Sequence, residues 1–431
     1  MKKLDPNEKW SEEKDPRNYR QGDAIPEGDP VCIVPWTTIC LSANGNIKPC
    51  CAYDGQYVEK REHFNFYDGD TLEDAHEGFE WLRQAFVNKE KPIQCNQCWK
   101  NERTLSNSRR SWMYDKIKHK PQSYPVKSPL KLKHMDLNFG NTCNLKCRHC
   151  GSWGSTNWFK EDIKLNSINK KFKRAVNHGM VRDVDPNYWI ERQHYFKDME
   201  RIDFKGGEPF MQQGHYDVLR MLIDNGSAKN VDLGYVTNGT KNPEELEELW
   251  PYFKKVILNI SVETSKPGLY EYFRGGKIQT IEQLEKSVYW FDQFDNVKGQ
   301  FAIAISTYNM FDLQELGEWI EQVTANTRSF KTLFANRTSD HKNRYERPNN
   351  FSSLVTTPAY LDPNNMPPHM KQKVLERWDK NYHSMDHLRD AMHRTEYDPE
   401  QWELFKQYTR ELDRIRGESV LDHIPELVGE L

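Results

Sequence analysis

Residues 141–150 read Asn-Thr-Cys-Asn-Leu-Lys-Cys-Arg-His-Cys and place three cysteines, Cys143, Cys147 and Cys150, in one short segment. Three thiolates held close together favour a soft metal centre, either zinc or an iron–sulfur cluster. A structural zinc site or a closed cluster has four ligands, whereas this segment supplies three. The segment therefore needs a distant fourth ligand, or it leaves one position open for a molecule that reacts there.

A second interpretation is that these cysteines line one face of a helix. Their spacing also fits the helical repeat, and cysteine packs as a small apolar side chain. Gly140, Asn141 and Asn144 favour turns instead. The residues between Cys143 and Cys150 are mostly polar, so a buried face would have little else to bury. The sequence therefore favours a metal site in a loop.

The size and charge of the chain exclude some classes of protein. It has 431 residues, too many for one small core, and we expect two or three domains. Lys and Arg number 61 against 64 Asp and Glu, and this balance argues against general nucleic-acid or membrane-surface binding. No run of about 18 apolar residues occurs, so no membrane span is predicted. The N-terminal residues lack the apolar segment of a secretory signal, and we expect a cytoplasmic protein.

All 9 cysteines lie within the first 150 residues. In a cytoplasmic chain, cysteines are more often metal ligands or catalysts than disulfides. Cysteines that pack in cores would be scattered, so this clustering favours dedicated sites. Outside the segment described above, they are Cys32, Cys40, Cys50, Cys51, Cys95 and Cys98. Among these, Cys40 follows the pattern of a strand and fits an ordinary packed position.

The region before the three-cysteine segment predicts a small hairpin. Residues 37–41 are strand-like, Asn44-Gly45 is typical of a two-residue turn, and residues 46–48 begin the return strand. A helix is predicted over about 72–87 from the spacing of its apolar residues.

The hairpin would return Cys50 toward Cys32, and Cys95 and Cys98 would complete a set of four soft ligands. A zinc ribbon and an iron–sulfur cluster both fit such a set. Cys51 can substitute for Cys50 as the ligand, so that choice stays open at this point.

Beyond residue 129, strands alternate with helices, which predicts an α/β fold with a parallel sheet. Six such units fit a partial (βα)6 TIM-like barrel. Strands are predicted near 131–139, 200–205, 231–237, 255–263, 300–307 and 327–335, and helices near 211–225, 243–254, 279–295 and 311–324. The predicted divisions are an extended polar arm over 1–30, the cysteine-rich α+β module with its linker over 31–128, the barrel over 129–345, and a linker with a helical region over 346–431. In the C-terminal region we expect His369, His383, His387 and His393 to lie on a solvated helical face rather than in a metal site, and we expect the region to pack against the barrel or shape substrate access.

Polar or glycine-containing sequences follow three of the predicted strands. They are Gly206-Gly207-Glu208-Pro209, Thr237-Asn238-Gly239, and Ser261 and Glu263 with Arg274-Gly275. Each alone also fits an ordinary strand end or turn. In barrels of this kind, however, the carboxyl ends of the strands build the active site. Their joint placement at the edge that carries the three-cysteine segment therefore favours a functional site.

Together with the three cysteines, these motifs resemble the radical S-adenosylmethionine (radical SAM) superfamily over roughly residues 130–335. His149 stands where that family usually has an aromatic residue. The resemblance implies a [4Fe-4S] cluster on Cys143, Cys147 and Cys150, whose open iron is chelated by S-adenosylmethionine. It also implies cleavage of that molecule to a 5′-deoxyadenosyl radical, which abstracts hydrogen from a substrate.

The same resemblance implies roles for the strand-end residues in binding S-adenosylmethionine. The methionine amine would be held by Gly206, Gly207 and Glu208, followed by Pro209 in the same motif. The carboxylate would be held by Ser261 and Arg274, and the ribose or nearby polar atoms by Asn238 and Glu263. A carboxylate beside an amine and a guanidinium beside a carboxylate are complementary in charge.

The N-terminal module resembles the SPASM/twitch module, which carries an auxiliary cluster in many radical SAM enzymes. This resemblance implies a second [4Fe-4S] cluster on Cys32, Cys50, Cys95 and Cys98. The module precedes the barrel in this chain, whereas it commonly follows the barrel in relatives.

The leading hypothesis is a radical SAM oxidoreductase or peptide-modifying enzyme. Its substrate would be a peptide, a protein side chain or a small molecule, and its electrons would come from a reduced flavodoxin or ferredoxin-like donor. A non-catalytic zinc-binding interaction protein and an iron–sulfur electron carrier are the alternatives. The zinc protein would be colourless, and the carrier would be coloured but would form no nucleoside product.

Overall fold

The computed structural model describes residues 32–54, 63–99, 108–116, 125–174, 176, 187–330, 351–379, 386–394 and 396–431. Its contacts divide the chain into two compact units. The first comprises Met1–Gly140, Arg182–Gly206 and Gly214–Leu233, and the second comprises Asn141–Val181, Gly207–Gln213 and Gly234–Leu431. The predicted polar arm lies outside the described residues, and the predicted domain boundaries remain predictions.

The first unit is built on a hairpin that joins parallel strands. Its strands are β1 Thr38–Leu41, β2 Asn46–Lys48, β3 Phe64–Asn65, β4 His134–Asn138 and β5 Arg201–Lys205, in the order β3-β2-β1-β4-β5. β1 pairs antiparallel with β2, and Gly45 takes a φ of +85° at the turn, as the predicted hairpin requires. β1 also pairs in parallel with β4, which places Cys40 opposite Asp136. The hairpin therefore extends the parallel strands directly.

The second unit holds the later strands. β6 Asp232–Thr237 begins in the first unit, and β7 Lys255–Ser261, β8 Val297–Ile305 and β9 Phe351–Leu354 follow. β7 pairs in parallel with β8, and β8 pairs in parallel with β9. Val256, Leu258 and Ile260 of β7 are buried, as expected for the face that packs under outer helices.

The helices of the described residues alternate with these strands or follow them. They are Val34–Thr37, Leu72–Gly78, Glu80–Val87, Arg109–Lys116, Phe159–Ile168, Asn187–Glu191, Gln213–Asp224, Glu245–Leu249, Leu269–Arg274, Ile281–Asp292, Leu313–Ala325, Pro368–Arg377, Asp386–Arg394 and Pro399–Arg416. The predicted α/β class and partial barrel are confirmed by this alternation of mostly parallel strands with helices. Within the described part of the chain, we find no helix with the length and apolar character that a membrane span requires.

Of the sixth barrel strand predicted over 327–335, residues 331–335 lie outside the described residues, so this strand stays a prediction. The described residues of that stretch form a single bridge, between Gly299 and Phe330. The strand that pairs with β8 is β9, Phe351–Leu354, which lies where the sequence predicts a linker. A strand of four residues is set by its neighbour's hydrogen bonds rather than by its own pattern.

The single helix predicted over 72–87 is two helices that meet at Phe79. Phe79 leaves helical geometry, with a φ of −87° and a ψ of 12°. A Cβ on the preceding Gly78 would overlap the ring of Phe64. The close packing of Phe64, which comes from β3, therefore coincides with the break.

The helix Pro399–Arg416, which we call the C-terminal helix, has one buried side. Trp402, Phe405, Tyr408 and Leu412 recur along one side of it and are buried. The helix begins at Asp398, whose carboxylate accepts hydrogen bonds from the first exposed N–H groups, and it ends at Gly417.

Candidate metal centre

The three-cysteine segment, residues 141–150, follows β4 as an irregular loop that we call the cysteine loop. No residue in it is helical, so the interpretation as a packed helix face is wrong. Cys143 Sγ accepts hydrogen bonds from Leu145 N at 3.4 Å and from Asn238 Nδ2 at 3.5 Å. Cys147 Sγ accepts one from Arg274 Nη1 at 3.8 Å. Two of the three sulfurs therefore already have donors that would stabilise a thiolate.

The electrostatic surroundings show that the three sulfurs lie near one another. Burial raises the pKa of Cys143 to about 12, and the charge of Cys147 adds to that shift. Burial also raises the pKa of Cys150 above its usual range, with further contributions from Cys147 and Cys143. Burial raises the pKa of Cys147, and the Arg274 guanidinium opposes that increase. A metal bound here would have to displace protons from all three thiols.

Arg274 connects the end of β7 to the cysteine loop. Its side chain is buried, its Nε lies 3.2 Å from Glu263 Oε2, and its Nη2 donates to the backbone carbonyl of Ser261. Burial raises the pKa of Glu263, and the nearby guanidinium opposes that shift. Ser261, Glu263 and Arg274 are therefore brought together beside Cys147, as the sequence predicts.

Backbone hydrogen bonds fix the same region. Lys146 N donates to Arg274 O at 3.2 Å, and Arg148 N donates to Phe273 O at 2.8 Å. The next residue, Gly275, has a φ of +84°, and a Cβ there would overlap the backbone of Lys146. The helix Leu269–Arg274 and the cysteine loop are therefore in contact along their backbones.

Glu208 is fully buried, and its side chain contacts the residues at the end of β6. Its Oε1 accepts a hydrogen bond from Thr237 Oγ1 at 2.7 Å, and its Oε2 accepts one from Asn238 N at 2.7 Å. Burial raises the pKa of Glu208 to about 7, although these hydrogen bonds oppose the shift. Its backbone N donates to Thr142 O at 2.8 Å. The carboxylate is thus held rigidly, next to the start of the cysteine loop.

The neighbouring motif residues have distinct places. Asn238 Nδ2 donates to Asn144 Oδ1 at 3.0 Å as well as to Cys143. Pro209 opens a short 3-10 helix, Pro209–Met211, that the Glu208 side chain caps. Gly206, which belongs to the first unit, has a φ of +127° that favours glycine. A Cβ on Gly207 would overlap the carbonyl of Thr142.

His149 is buried within the cysteine loop, with its ring centroid 5.2 Å from that of Phe273. Burial, with the charges of Arg274 and Arg174, lowers its pKa to about 3, so the imidazole is neutral. Among the described residues, no hydrogen-bond partner is found for its Nδ1.

The four N-terminal cysteines of the predicted auxiliary set also come together. Burial raises the pKa of Cys50, and the charges of Cys51, Cys98, Cys95 and Cys32 raise it further. The pKa of Cys95 is raised by burial and then by Cys32 and Cys98. Cys32 and Cys50 also pack against the same buried apolar pair, Val34 and Met113.

The choice between the adjacent Cys50 and Cys51 is informed by their surroundings. Cys51 is exposed, whereas Cys50 is half-buried among the other three cysteines. Cys40 is buried on β1, and its pKa is raised by burial and by the charges of Asp136 and Cys51. The charge of Cys51 thus acts on both Cys40 and Cys50, and only Cys50 is half-buried.

The charged residues of β4 and β5 form an ion-pair network rather than a metal site. Within the described ranges, only His134, Asp136 and Asp203 bring three potential ligand atoms within 4.8 Å of one another. Arg109 Nη2 lies 3.0 Å from both Asp136 oxygens, and Lys205 Nζ lies 2.9 Å from Oδ1. These cations neutralise the carboxylates that a metal ion would need.

The cysteine sulfurs are spaced more widely than the ligands of a tetrahedral zinc site. No three of the cysteine sulfurs, all of which belong to described residues, lie within 4.8 Å of one another. In a tetrahedral zinc site with Zn–S bonds of about 2.3 Å, the sulfurs would be about 3.8 Å apart. A four-iron cluster is larger and holds its thiolates further apart.

Comparison with known proteins gives one family. Residues 137–320 match the model of the Radical SAM superfamily. A probable GTP 3′,8-cyclase of Methanococcus aeolicus is 24% identical over 162 residues, which are 37% of this chain and 46% of that protein. The chain therefore spans about half the length of the curated relative that it matches.

Two solved structures are also similar to this chain. Streptococcus suis SuiB bound to precursor peptide SuiA is 14% identical, with a TM-score of 0.33, over 59% of this chain and 44% of SuiB. The enzyme anSMEcpe, with bound AdoMet and a Kp18Cys peptide, is 14% identical, with a TM-score of 0.32, over 48% of this chain and 54% of that chain.

We expect Gly207→Ala to destabilise the protein by about 1–3 kcal/mol, because its Cβ would overlap the carbonyl of Thr142. The shift should appear in urea unfolding followed by tryptophan fluorescence. Since the Thr142 backbone must move, the thiols of the cysteine loop should also react faster with a chromogenic disulfide in the metal-free protein.

The matched control is Gly69→Ala, whose Cβ would meet no atom within 4 Å but whose φ is +100°. Backbone strain alone should cost this variant about 1–2 kcal/mol and leave the thiol reactivity of the cysteine loop unchanged. Unchanged thiol reactivity in Gly207→Ala would contradict the close approach described here.

Proposed function

We propose that this chain, whose residues 137–320 match the model of the radical SAM superfamily, is a radical SAM enzyme that binds a [4Fe-4S] cluster on Cys143, Cys147 and Cys150. The observation that carries this proposal is a non-helical loop whose three sulfurs interact, while two of them accept hydrogen bonds from Asn238 and Arg274. When bound, the cluster supplies the electron that cleaves S-adenosylmethionine to methionine and a 5′-deoxyadenosyl radical, which removes a hydrogen atom from the substrate.

The residues around the loop would orient S-adenosylmethionine. Glu208 offers a buried carboxylate to the methionine amine, and its position is fixed by Thr237 and by the backbone of Asn238. An ammonium group nearby would lower the pKa of Glu208 and favour its ionised form. Gly206 and Gly207 let the backbone come close to the ligand, because neither carries a Cβ.

Arg274 would hold the carboxylate of S-adenosylmethionine together with Ser261. Because Arg274 is already paired with Glu263 at 3.2 Å, the carboxylate would bind beside an existing ion pair rather than a lone cation. Asn238 and Glu263 would serve the ribose or nearby polar atoms. Burial of these groups strengthens each polar contact by excluding water.

We also propose a second [4Fe-4S] cluster on Cys32, Cys50, Cys95 and Cys98. Their mutual electrostatic effects, and the packing of Cys32 and Cys50 against the same apolar pair, support it. The exposure of Cys51 supports Cys50 as the ligand.

The proposed substrate is a peptide or a protein side chain, with a small molecule as the alternative. This choice rests on the resemblance of the N-terminal module to SPASM/twitch modules, which accompany enzymes for such substrates. A reduced flavodoxin or ferredoxin-like protein would supply the electrons.

Cys147→Ala should abolish the formation of 5′-deoxyadenosine, because a cluster held by two thiolates would not retain its site for S-adenosylmethionine. The test is anaerobic reconstitution with iron and sulfide, reduction with dithionite, and chromatography of the nucleoside product. Cys51→Ser, which replaces an exposed cysteine, is the matched control and should keep the wild-type yield. If Cys147→Ala forms as much 5′-deoxyadenosine as the wild type, the proposed enzymatic function is wrong. A colourless wild-type protein that contains zinc would favour the alternative of a non-catalytic zinc-binding interaction protein.

Cys50→Ser should lose about half of the bound iron, because one of two four-iron clusters would lose a ligand. Cys51→Ser should retain all of it. Iron and acid-labile sulfide per chain give the measurement, and retained 5′-deoxyadenosine formation would show that the first cluster survives. If Cys51→Ser loses the iron and Cys50→Ser keeps it, Cys51 is the ligand instead of Cys50. If neither variant loses iron, the proposal of a second cluster is wrong.

A further inference from the structure

The C-terminal helix touches the cysteine loop through three polar side chains. Tyr408 Oη donates to Arg148 O at 3.0 Å, and Asp413 Oδ1 accepts from Arg148 Nη2 at 2.5 Å. Arg416 Nη2 donates to Lys146 O at 2.9 Å. These contacts cross more than 250 residues of chain and fall on the residues that flank Cys147.

Arg148 is the centre of these contacts. It lies between Cys147 and Cys150 in the sequence, yet its side chain is completely buried. Its guanidinium pairs with Asp413 and also with Glu418 at 2.7 Å, and it lies 3.5 Å from the ring centroid of Tyr272. A buried guanidinium is stable only when such partners replace its water. The acids of the C-terminal segment therefore permit Arg148 to occupy this position.

A second ion pair fixes the other side of Cys147. Glu161 lies 2.7 Å from Lys146 Nζ through one oxygen and 2.7 Å from Arg416 Nη2 through the other. Arg416 is itself buried and binds both Glu161 and the backbone of Lys146. The backbone on both sides of Cys147 is therefore held by residues from the end of the chain.

We propose that residues 399–418 are a clamp that fixes the cysteine loop at the spacing its cluster requires, with Arg148 and Asp413 as positioning residues. This proposal rests on the cluster proposed above. Without the clamp, the loop would have to be ordered when the cluster binds, at a cost of conformational entropy for each residue. With it, the loop is ordered before the metal arrives, and the cluster is retained more tightly. None of the clamp residues would touch the iron, so each acts through the loop.

The clamp has directional polar contacts, which allow conservative tests. Asp413→Asn removes the charge paired with Arg148, and Glu418→Gln removes the second carboxylate. Tyr408→Phe removes only the hydroxyl that binds Arg148 O and keeps the ring in place. The matched control is Arg410→Gln on the same helix, which breaks an exposed ion pair with Glu403.

The measurement is the rate at which a chelator removes iron from the reconstituted protein, together with the electron paramagnetic resonance spectrum of the reduced cluster. Asp413→Asn should lose iron from the cysteine-loop cluster about 10-fold faster than the wild type, as expected when a residue behind a metal ligand is removed. The rates of iron loss from Glu418→Gln and Tyr408→Phe should lie between those of the wild type and Asp413→Asn. The spectra of these variants with S-adenosylmethionine should differ from that of the wild type. Arg410→Gln should match the wild type in both.

Urea unfolding of the metal-free variants separates positioning from general packing. Variants that unfold at lower urea but keep the wild-type rate of iron loss and spectrum would overturn the clamp. The proposed function would survive that outcome, because the wild type would still hold its cluster. A wild type that takes up no iron on the cysteine loop would overturn both proposals. If Asp413→Asn fails to fold, the rate of iron loss and the spectrum of Tyr408→Phe test the clamp in its place.

Discussion

Three sulfurs in one loop would repel one another as thiolates, and two of them have hydrogen-bond donors that would offset that repulsion. Burial raises the pKa of each thiol, and the charge of Cys147 raises the pKa of both Cys143 and Cys150. Asn238 donates toward Cys143, and the cationic Arg274 donates toward Cys147. These donors come from the ends of other elements, so the folded second unit is needed before the cysteines can act as a set.

The rigid attachment of the loop follows from the same requirement. Glu208 and its neighbouring backbone connect Thr142 to the end of β6, and Gly207 allows that approach because it has no side chain. The C-terminal helix holds the opposite part of the loop through Arg148. A metal site whose ligands are ordered in advance binds with less loss of entropy, so these remote contacts would support the proposed cluster as well as the fold.

In the first unit, two adjacent cysteines differ in their surroundings. Cys50 is half-buried and is affected by the charges of Cys32, Cys95 and Cys98, whereas Cys51 is exposed and its charge acts on Cys40 as well as on Cys50. The side toward Cys51 is filled by ion pairs of β4 and β5, which neutralise one another.

The sequence by itself determined the features that depend on local spacing. The cysteine loop, the hairpin at Asn44-Gly45 and strands β4 to β8 follow from turn residues and from alternation of apolar side chains, which act over a few residues. Tertiary structure alone decided that Phe351–Leu354 pairs with β8 and that Asp413 reaches Arg148 across 265 residues. Such choices depend on which surfaces meet after folding, and no local pattern records them. For the same reason, the sequence shows a charged residue, Arg148, inside the cysteine loop but does not show that its partners Asp413 and Glu418 come from the end of the chain.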